Sequence, residues 1–170
     1  MNCKNTGNIT GKRAVGGIIG SVGYFGDNYD DNDSTMYLFA KISHCENSGN
    51  ITGRSAVGGI TGEHTYNNLE MSYCINIGTV KADSISGGIT GGYNKFKEKN
   101  GTIENCINSG LVIGKDIVGG IIGRNKGALK NCINTGTVKG DTKTGCIVGD
   151  NENGTVINCH YDKQTCNGEK

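Results

Sequence analysis

The residues best suited to chemistry stand in one acidic stretch near the start of the chain. It holds Asp27, Asp30, Asp31 and Asp33, with Asn28 between the first two. Carboxylate and amide oxygens are the ligands that Ca²⁺ prefers in proteins. The stretch therefore indicates a calcium site, although it lacks the glycine and the distal glutamate of an EF-hand loop. A flexible acidic loop without an ion is the alternative, and no other cofactor is expected.

Aromatic side chains surround this acidic stretch, in a chain that is only 6% aromatic. They are Tyr24, Phe25, Tyr29, Tyr37 and Phe39. Such a local density of rings suits either the packing of the stretch onto the rest of the protein or a contact surface for a partner. We expect that partner to be a protein or a glycan.

Cysteine is the other chemically capable residue, with eight copies. Five of them open successive copies of one sequence pattern and are expected to stack as a column: Cys3, Cys45, Cys74, Cys106 and Cys132. Equivalent residues on neighbouring parallel strands lie about 4.8 Å apart, which is wider than the ~3.8 Å between Cβ atoms that a disulfide prefers. The column therefore predicts small buried thiols in preference to a soft-metal site, for which no histidine partner is in place.

The remaining cysteines lie near the C-terminus: Cys146 replaces the second glycine of the fifth pattern copy, and Cys159 and Cys166 follow it. A disulfide that closes this end of the chain is an open possibility, either Cys159–Cys166 or Cys146–Cys166.

Other chemical groups are scattered. His44, His64 and His160 fall at unmatched positions, which favours surface or corner side chains. The position nine residues after each cysteine carries charges of both signs: Lys12, Arg54, Asp83, Lys115 and Asp141. β-Helices that cleave polysaccharides instead carry clusters of acidic residues on one face. We expect a solvated corner there and no catalytic residue.

The elements that position these residues come from a repeat. The pattern C-x-N-x-G-x-[IV]-x-[GA] occurs five times, and each time G-[GC]-I-x-G begins 13 residues after the cysteine. A constant spacing of this kind indicates one structural unit stacked on its copies. It also excludes the disorder that 34% hydrophobic content would otherwise suggest.

Within each unit small or apolar residues alternate with variable polar ones, which indicates extended chain with one buried face. The sequence predicts an all-β fold, a right-handed parallel β-helix of about five to six coils, each with three short strands, forming a single domain over 1–170. The repeated asparagines should form an inward ladder of side-chain hydrogen bonds: Asn5, Asn47, Asn76, Asn108 and Asn134. Val15, Val57 and Val118 should face outward and form a flat apolar surface.

Length variation is confined to one place in each unit, before the next cysteine. The longest insert is 21–41, with shorter ones near 63–70 and 92–101, and 151–170 should cap the C-terminal end. Insertions confined to one place map to one edge of a stack, often the binding edge.

Charge and hydropathy narrow the classes of function that the chain could have. A net charge of +1 argues against nucleic-acid binding, and no apolar run reaches the roughly 18–20 residues of a spanning helix. The start of the chain carries no signal peptide, so we expect either an intracellular protein or a piece of a longer chain.

The repeat resembles the GLUG-motif family. The resemblance is carried by Gly16-Gly17-Ile18-Ile19-Gly20, by the same block at 119–123, and by Asn131-Cys132-Ile133-Asn134-Thr135-Gly136-Thr137-Val138. The end, from Asn158 to Cys166, looks like the segment that often closes such arrays. The family occurs in large bacterial surface and secreted proteins, including non-catalytic regions of immunoglobulin-A-cleaving metallopeptidases.

The resemblance implies an extracellular repeat module for presentation or adhesion, and it transfers no catalytic residue. A non-enzymatic spacer or adhesive scaffold at the cell surface is therefore the leading hypothesis. An intracellular phage or mobile-element inhibitor, which would be cytoplasmic, and a β-helical polysaccharide enzyme are the alternatives.

Overall fold

The computed structural model describes residues 2–23, 40–64, 69–93 and 101–166. These residues form short strands joined by tight corners, and none of them is helical. All strand pairs are parallel, and each joins a strand to the equivalent strand of the next coil. The protein is a parallel β-solenoid, which confirms the predicted fold class.

The strands repeat in groups of five along the chain. In the first two coils they are β1 (Lys4–Asn5), β2 (Ile9–Thr10), β3 (Arg13–Gly16), β4 (Ile19–Val22), β5 (Ala40–Ser43), β6 (Glu46–Asn47), β7 (Ile51–Gly53), β8 (Ser55–Gly58), β9 (Thr61–His64) and β10 (Leu69–Ser72). In the next two they are β11 (Ile75–Asn76), β12 (Val80–Ala82), β13 (Ile85–Gly87), β14 (Thr90–Tyr93), β15 (Thr102–Glu104), β16 (Ile107–Asn108), β17 (Val112–Ile113), β18 (Ile117–Gly119), β19 (Ile122–Asn125) and β20 (Ala128–Lys130). The last are β21 (Ile133–Asn134), β22 (Val138–Lys139), β23 (Lys143–Gly145), β24 (Val148–Asn151), β25 (Thr155–Ile157) and β26 (His160–Tyr161).

Stacking of equivalent strands produces five sheets, which we call A to E in the order that the chain visits them. Sheet A contains β1, β6, β11, β16, β21 and β26, and sheets B, C, D and E are the corresponding stacks that begin with β2, β3, β4 and β5. The chain makes about four turns, slightly fewer than the predicted five to six coils. The prediction of three strands per coil was wrong, because each coil has five.

The extra corners were hidden because the alternation of small and polar residues runs straight through them. Asn47 on β6 and Ile51 on β7 both point inward, yet they belong to different sheets. A bend between two extended segments need not disturb a period of two. From the alternation alone, the strands of sheets A and B in each coil were therefore interpreted as a single strand.

The interior contains two apolar clusters. The first combines the thiol column with aliphatic residues of sheets D and E and the corner before sheet D, among them Ile60, Met71, Ile103 and Leu129. The second lies against sheets B and C and includes Ile51, Val80 and Val112.

The prediction of an outward apolar face was wrong. Val57 and Val118 are fully buried in the second cluster, and Val15 is 5% exposed. Thr61, Thr90 and Ile122 of the neighbouring sheet D are buried as well. The corner that separates sheet C from sheet D reverses which side of the chain faces the interior, so the valines meet the strands of sheet B.

The corner between sheets E and A uses a left-handed backbone in every coil described in full. The residues there have φ values of 50–56°: His44, Tyr73, Asn105, Asn131 and Asn158. Asparagine tolerates this conformation better than most residues. This explains the Asn-Cys dipeptide that opens the later repeats.

Candidate functional site

The asparagine ladder is the most ordered polar feature of the interior. The Nδ2 atom of each asparagine donates to the Oδ1 atom of the asparagine one coil later, at 2.7–2.8 Å, from Asn5 through Asn134. Each Nδ2 also donates to the carbonyl oxygen of the glycine two residues on, at 2.8–3.0 Å. The ladder fixes the register of the coils and uses both amide protons of Asn5, Asn47, Asn76 and Asn108.

The thiol column lies beside the ladder, with each cysteine directly before a strand of sheet A. Cys45, Cys74, Cys106 and Cys132 are buried, while Cys3 and Cys159 at the two ends are partly exposed. The thiols of Cys45, Cys74, Cys106, Cys132 and Cys159 each donate to the carbonyl oxygen two residues earlier, at 3.3–3.4 Å. Burial raises the pKa of the Cys45 thiol, so this side chain is an apolar spacer in the core and not a nucleophile.

A disulfide joins Cys146 to Cys166, one of the two pairings that the sequence left open. The segment predicted as a cap supplies β25 and β26 to the stack, and Cys166 then reaches back to the coil beneath. Val138 and Cys146 lie in the last coil, yet only 7% and 5% of their surface is exposed. On the same coil, Val156 and Ile157 are 43% and 46% exposed. The disulfide-bonded end therefore covers the second apolar cluster and leaves part of the first open.

Insertions between coils fall at the corner between sheets D and E, because the in-register residues elsewhere keep the same spacing from coil to coil. The connections at this corner span 23–39, 65–68, 94–101, 126–127 and 152–154, whereas every connection from sheet A to sheet B has the same length. The predicted calcium ligands Asp27, Asp30, Asp31 and Asp33 lie outside the described residues. So do the predicted contact residues Tyr24, Phe25, Tyr29, Tyr37 and Phe39.

One position on sheet D creates a small polar cavity, which we call the Gly92 notch. The in-register residues along this column are Ser21, Glu63, Gly92, Arg124 and Asp150. Because Gly92 contributes no side chain, a gap of about 30 Å³ opens, lined by Arg13, Ser55, Ala56, Glu63, Ile85, Gly91, Gly92 and Arg124. A buried water needs roughly 10–15 Å³ of this kind of volume, so the notch has room for two waters or for one group of similar size.

The two walls of the notch carry opposite charges that do not pair with each other. Glu63 is 2% exposed and accepts from Arg13, whose Nε and Nη2 atoms lie 3.2 and 3.4 Å from its two oxygens. Arg124 instead forms an ion pair on its other side, with Nε 2.9 Å from Oε1 of Glu152. Glu152 also binds Lys126 at 3.1 Å. Glu63 is thus neutralised by Arg13. At the opposite wall the two cations Arg124 and Lys126 share the single carboxylate of Glu152.

The sequence reasoning missed this notch, although a signal for it was present. Gly92 stands where other coils carry a serine or a charged residue, and only a column-by-column reading reveals the gap. The sequence also missed the buried charge of Glu63, because that residue falls within a segment assigned to an insert.

His64 was expected to be a surface or corner side chain. It ends β9 at the corner between sheets D and E and is completely buried, so the surface expectation was wrong. Its Nδ1 atom lies 3.4 Å from the Thr90 hydroxyl on the next coil. Burial lowers the pKa of the imidazole from its usual value to about 3, so the ring is neutral in the folded protein at physiological pH.

This burial predicts acid sensitivity. The unfolded chain takes up a proton at His64 below about pH 6.5, whereas the folded protein takes it up only near pH 3. The stability that the neutral ring provides is complete above pH 6.5 and falls by about 1.4 kcal/mol per pH unit below it. Val22 occupies the equivalent position of the first coil, so His64→Val should remove this slope. Denaturant titrations at several pH values measure it. The exposed His44→Ala variant should retain the slope, and equal slopes for the wild type and His64→Val would contradict the prediction.

The remaining candidate residues lie at the surface. Asp83 of the mixed-charge column binds Lys115 at 3.3 Å, with both side chains more than half exposed. His44 stacks on Tyr73, with ring centroids 5.1 Å apart. Ile75 and Ile133 protrude from sheet A in line with Ile107.

Comparisons with known proteins add no relative. No family model, curated protein or solved structure matches this chain. Within the four described ranges, no helix is long and apolar enough to cross a membrane. No group of three or more histidine, cysteine or acidic side chains in those ranges is placed to hold a metal ion.

Proposed function

We propose that this chain is a non-enzymatic presenting scaffold, a spacer or adhesive repeat module of a bacterial surface protein. Its stacked coils hold the D–E connections side by side, and those connections contact a protein or glycan partner. The observation that carries this proposal is the confinement of the insertions between coils to one corner of the solenoid. Connections that leave neighbouring coils at one corner start about 4.8 Å apart, so their starting points follow one edge of the solenoid.

The interior supports a mechanical role for the rest of the chain. Hydrogen-bonded amides from Asn5 to Asn134 and the buried thiols beside them fill the centre of the stack. Since each coil is held mainly by its neighbours, the stack acts as a rigid rod with tolerant loops. This combination suits a protein that displays variable segments at a fixed distance.

The disulfide supports a location outside the cytoplasm. Bonds such as Cys146–Cys166 persist in oxidising compartments and are rare in the cytosol. Its loop, closed over a sequence separation of 20, stabilises the end of the chain by about 3 kcal/mol. A secreted or surface protein would retain that stabilisation, and this favours the surface proposal over a cytoplasmic inhibitor.

The test exchanges the longest D–E connection. Residues 23–39 are replaced by residues 65–68, which join the same two sheets one coil later. The matched control places the same four residues at 94–101. Both variants and the parent chain are assayed for binding to a panel of host extracellular glycans and glycoproteins.

We expect the parent and the control to bind a common member of the panel and the 23–39 exchange to lose that binding at least tenfold. Circular dichroism confirms that all three chains are folded. Equal binding by the 23–39 exchange, or no binding by any chain, would contradict the proposal.

A further inference from the structure

We propose that the Gly92 notch is a binding site for a carboxylate group, held by Arg124. The site is distinct from the D–E connections and does not depend on the proposed scaffold function. Its ligand is either a small free acid or an acidic side chain of a partner.

The contacts of the Arg124 guanidinium support this proposal. The Arg124 side chain is 19% exposed, and its Nε atom is buried. Nε lies 2.9 Å from Oε1 of Glu152 and forms an ion pair with it, although the contact does not have the geometry of a hydrogen bond. A guanidinium has five N–H donors and no means of losing its charge. Glu152 is paired through the Nε atom, and Arg124 also lines the notch, so the other donors of the guanidinium are able to serve an acceptor that enters it.

The charged side chains around the notch also favour an anion. Both oxygens of Glu63 are taken by Arg13, which leaves that wall close to neutral. On the opposite wall Arg124 and Lys126 share the single carboxylate of Glu152. The notch therefore carries a net positive charge next to Arg124, and this selects an anion over a cation or a neutral amide.

The size and shape of the notch also fit a carboxylate. The cavity of about 30 Å³ suits a carboxylate and is too small for a sugar ring or an aromatic side chain. Ser55 also lines it and carries a hydroxyl that is able to donate to a second oxygen. Planar, two-point recognition of a carboxylate is the geometry for which arginine is best adapted.

The notch is maintained by glycine for two separate reasons. Gly92 has a φ of 123°, a conformation that side chains disfavour. A Cβ atom at this position would also overlap the backbone of Arg124. The cavity is consequently a fixed part of the backbone and not a gap that a rotating side chain closes.

The test uses NMR titration of the labelled full chain with sodium acetate, and with acetamide as the neutral probe of the same shape. We expect acetate, and not acetamide, to shift the amide signals of Gly91 and Gly92 with saturation. Arg124→Gln should weaken acetate binding by about tenfold or more, as the loss of a charge-assisted contact implies. Arg124→Lys should weaken it less. Lys4→Gln, whose cation pairs with Glu46 on sheet A and does not line the notch, should bind acetate within about twofold of the parent chain.

Two short peptides distinguish the source of the carboxylate. They are blocked at both ends and are identical except for one Glu or Gln. Stronger binding of the Glu peptide than of acetate assigns the site to a partner's side chain, and binding of acetate alone assigns it to a small free acid. Unshifted glycine signals, equal responses to acetate and acetamide, or unchanged binding in Arg124→Gln would overturn the proposal. Because this readout involves no panel ligand, its failure is separate from failure of the scaffold proposal.

Discussion

Gly78→Ala should destabilise the protein by about 3 kcal/mol or more, while Gly7→Ala should change stability by less than about 0.5 kcal/mol. Both glycines occupy the same position of the repeat, two residues after a ladder asparagine. A Cβ atom at Gly78 would overlap the carbonyl oxygen of Gly49 in the coil below. At Gly7, in the first coil, the nearest atom to such a Cβ is Asn5 Oδ1 at 3.7 Å, an ordinary contact. Neither glycine has a positive φ, so the difference comes from stacking alone.

Chemical denaturation of the two variants and the parent measures this contrast. The same clash is present at Gly49, Gly110 and Gly136, so alanine there should be as costly as at Gly78. Similar free energies of unfolding for Gly7→Ala and Gly78→Ala would show that the coils are not stacked in this register.

Asn108→Ala should cost about 3–5 kcal/mol, the second large effect. The Asn108 side chain is fully buried and makes four hydrogen bonds, to Asn76, to Asn134 and twice to Gly110. Each bond contributes about 1 kcal/mol, and each buried group left unmatched costs about 1–3 kcal/mol. Alanine removes all four bonds at once and leaves Asn76 and Asn134 each short of one ladder bond.

Asn5→Ala is the matched control for this prediction. Asn5 belongs to the same ladder but lies in the first coil, where it is partly exposed and has a ladder neighbour on one side only. Water can satisfy the groups that its loss exposes, so we expect a cost of about 1 kcal/mol. Both variants are compared by thermal and chemical unfolding. If Asn5→Ala were as damaging as Asn108→Ala, the interior ladder would not be the source of stability.

The repeat predicted the fold well because stacking imposes the same demand on every coil. Cys, Asn and Gly recur at fixed positions since each contacts its own copies above and below, as the Asn76–Asn108 bond and the Gly78–Gly49 contact show. Such self-contacts leave a direct trace in the sequence. Corners between strands are harder to recognise in the sequence, because the alternation of small and polar residues continues through them. This is why three strands per coil were expected where five exist.

The same reasoning explains the errors in burial. Val57 was assigned to the surface because a period of two, once started, was continued across the corner between sheets C and D, and His64 because it falls at a position that the other units do not match. The tertiary fold places them inside. The Gly92 notch depends on a missing side chain between two charged neighbours in different coils, and no local pattern marks such a place.

The most direct test of the stacked coils is a proton NMR measurement of contacts between the ladder side chains. The account predicts a chain of nuclear Overhauser contacts that links the amide protons of Asn47 to Asn76, Asn76 to Asn108, and Asn108 to Asn134. These residues are 26 to 32 positions apart in sequence, so only parallel, in-register coils bring them together. Absence of these contacts, or Hα–Hα contacts typical of antiparallel strands in their place, would contradict it.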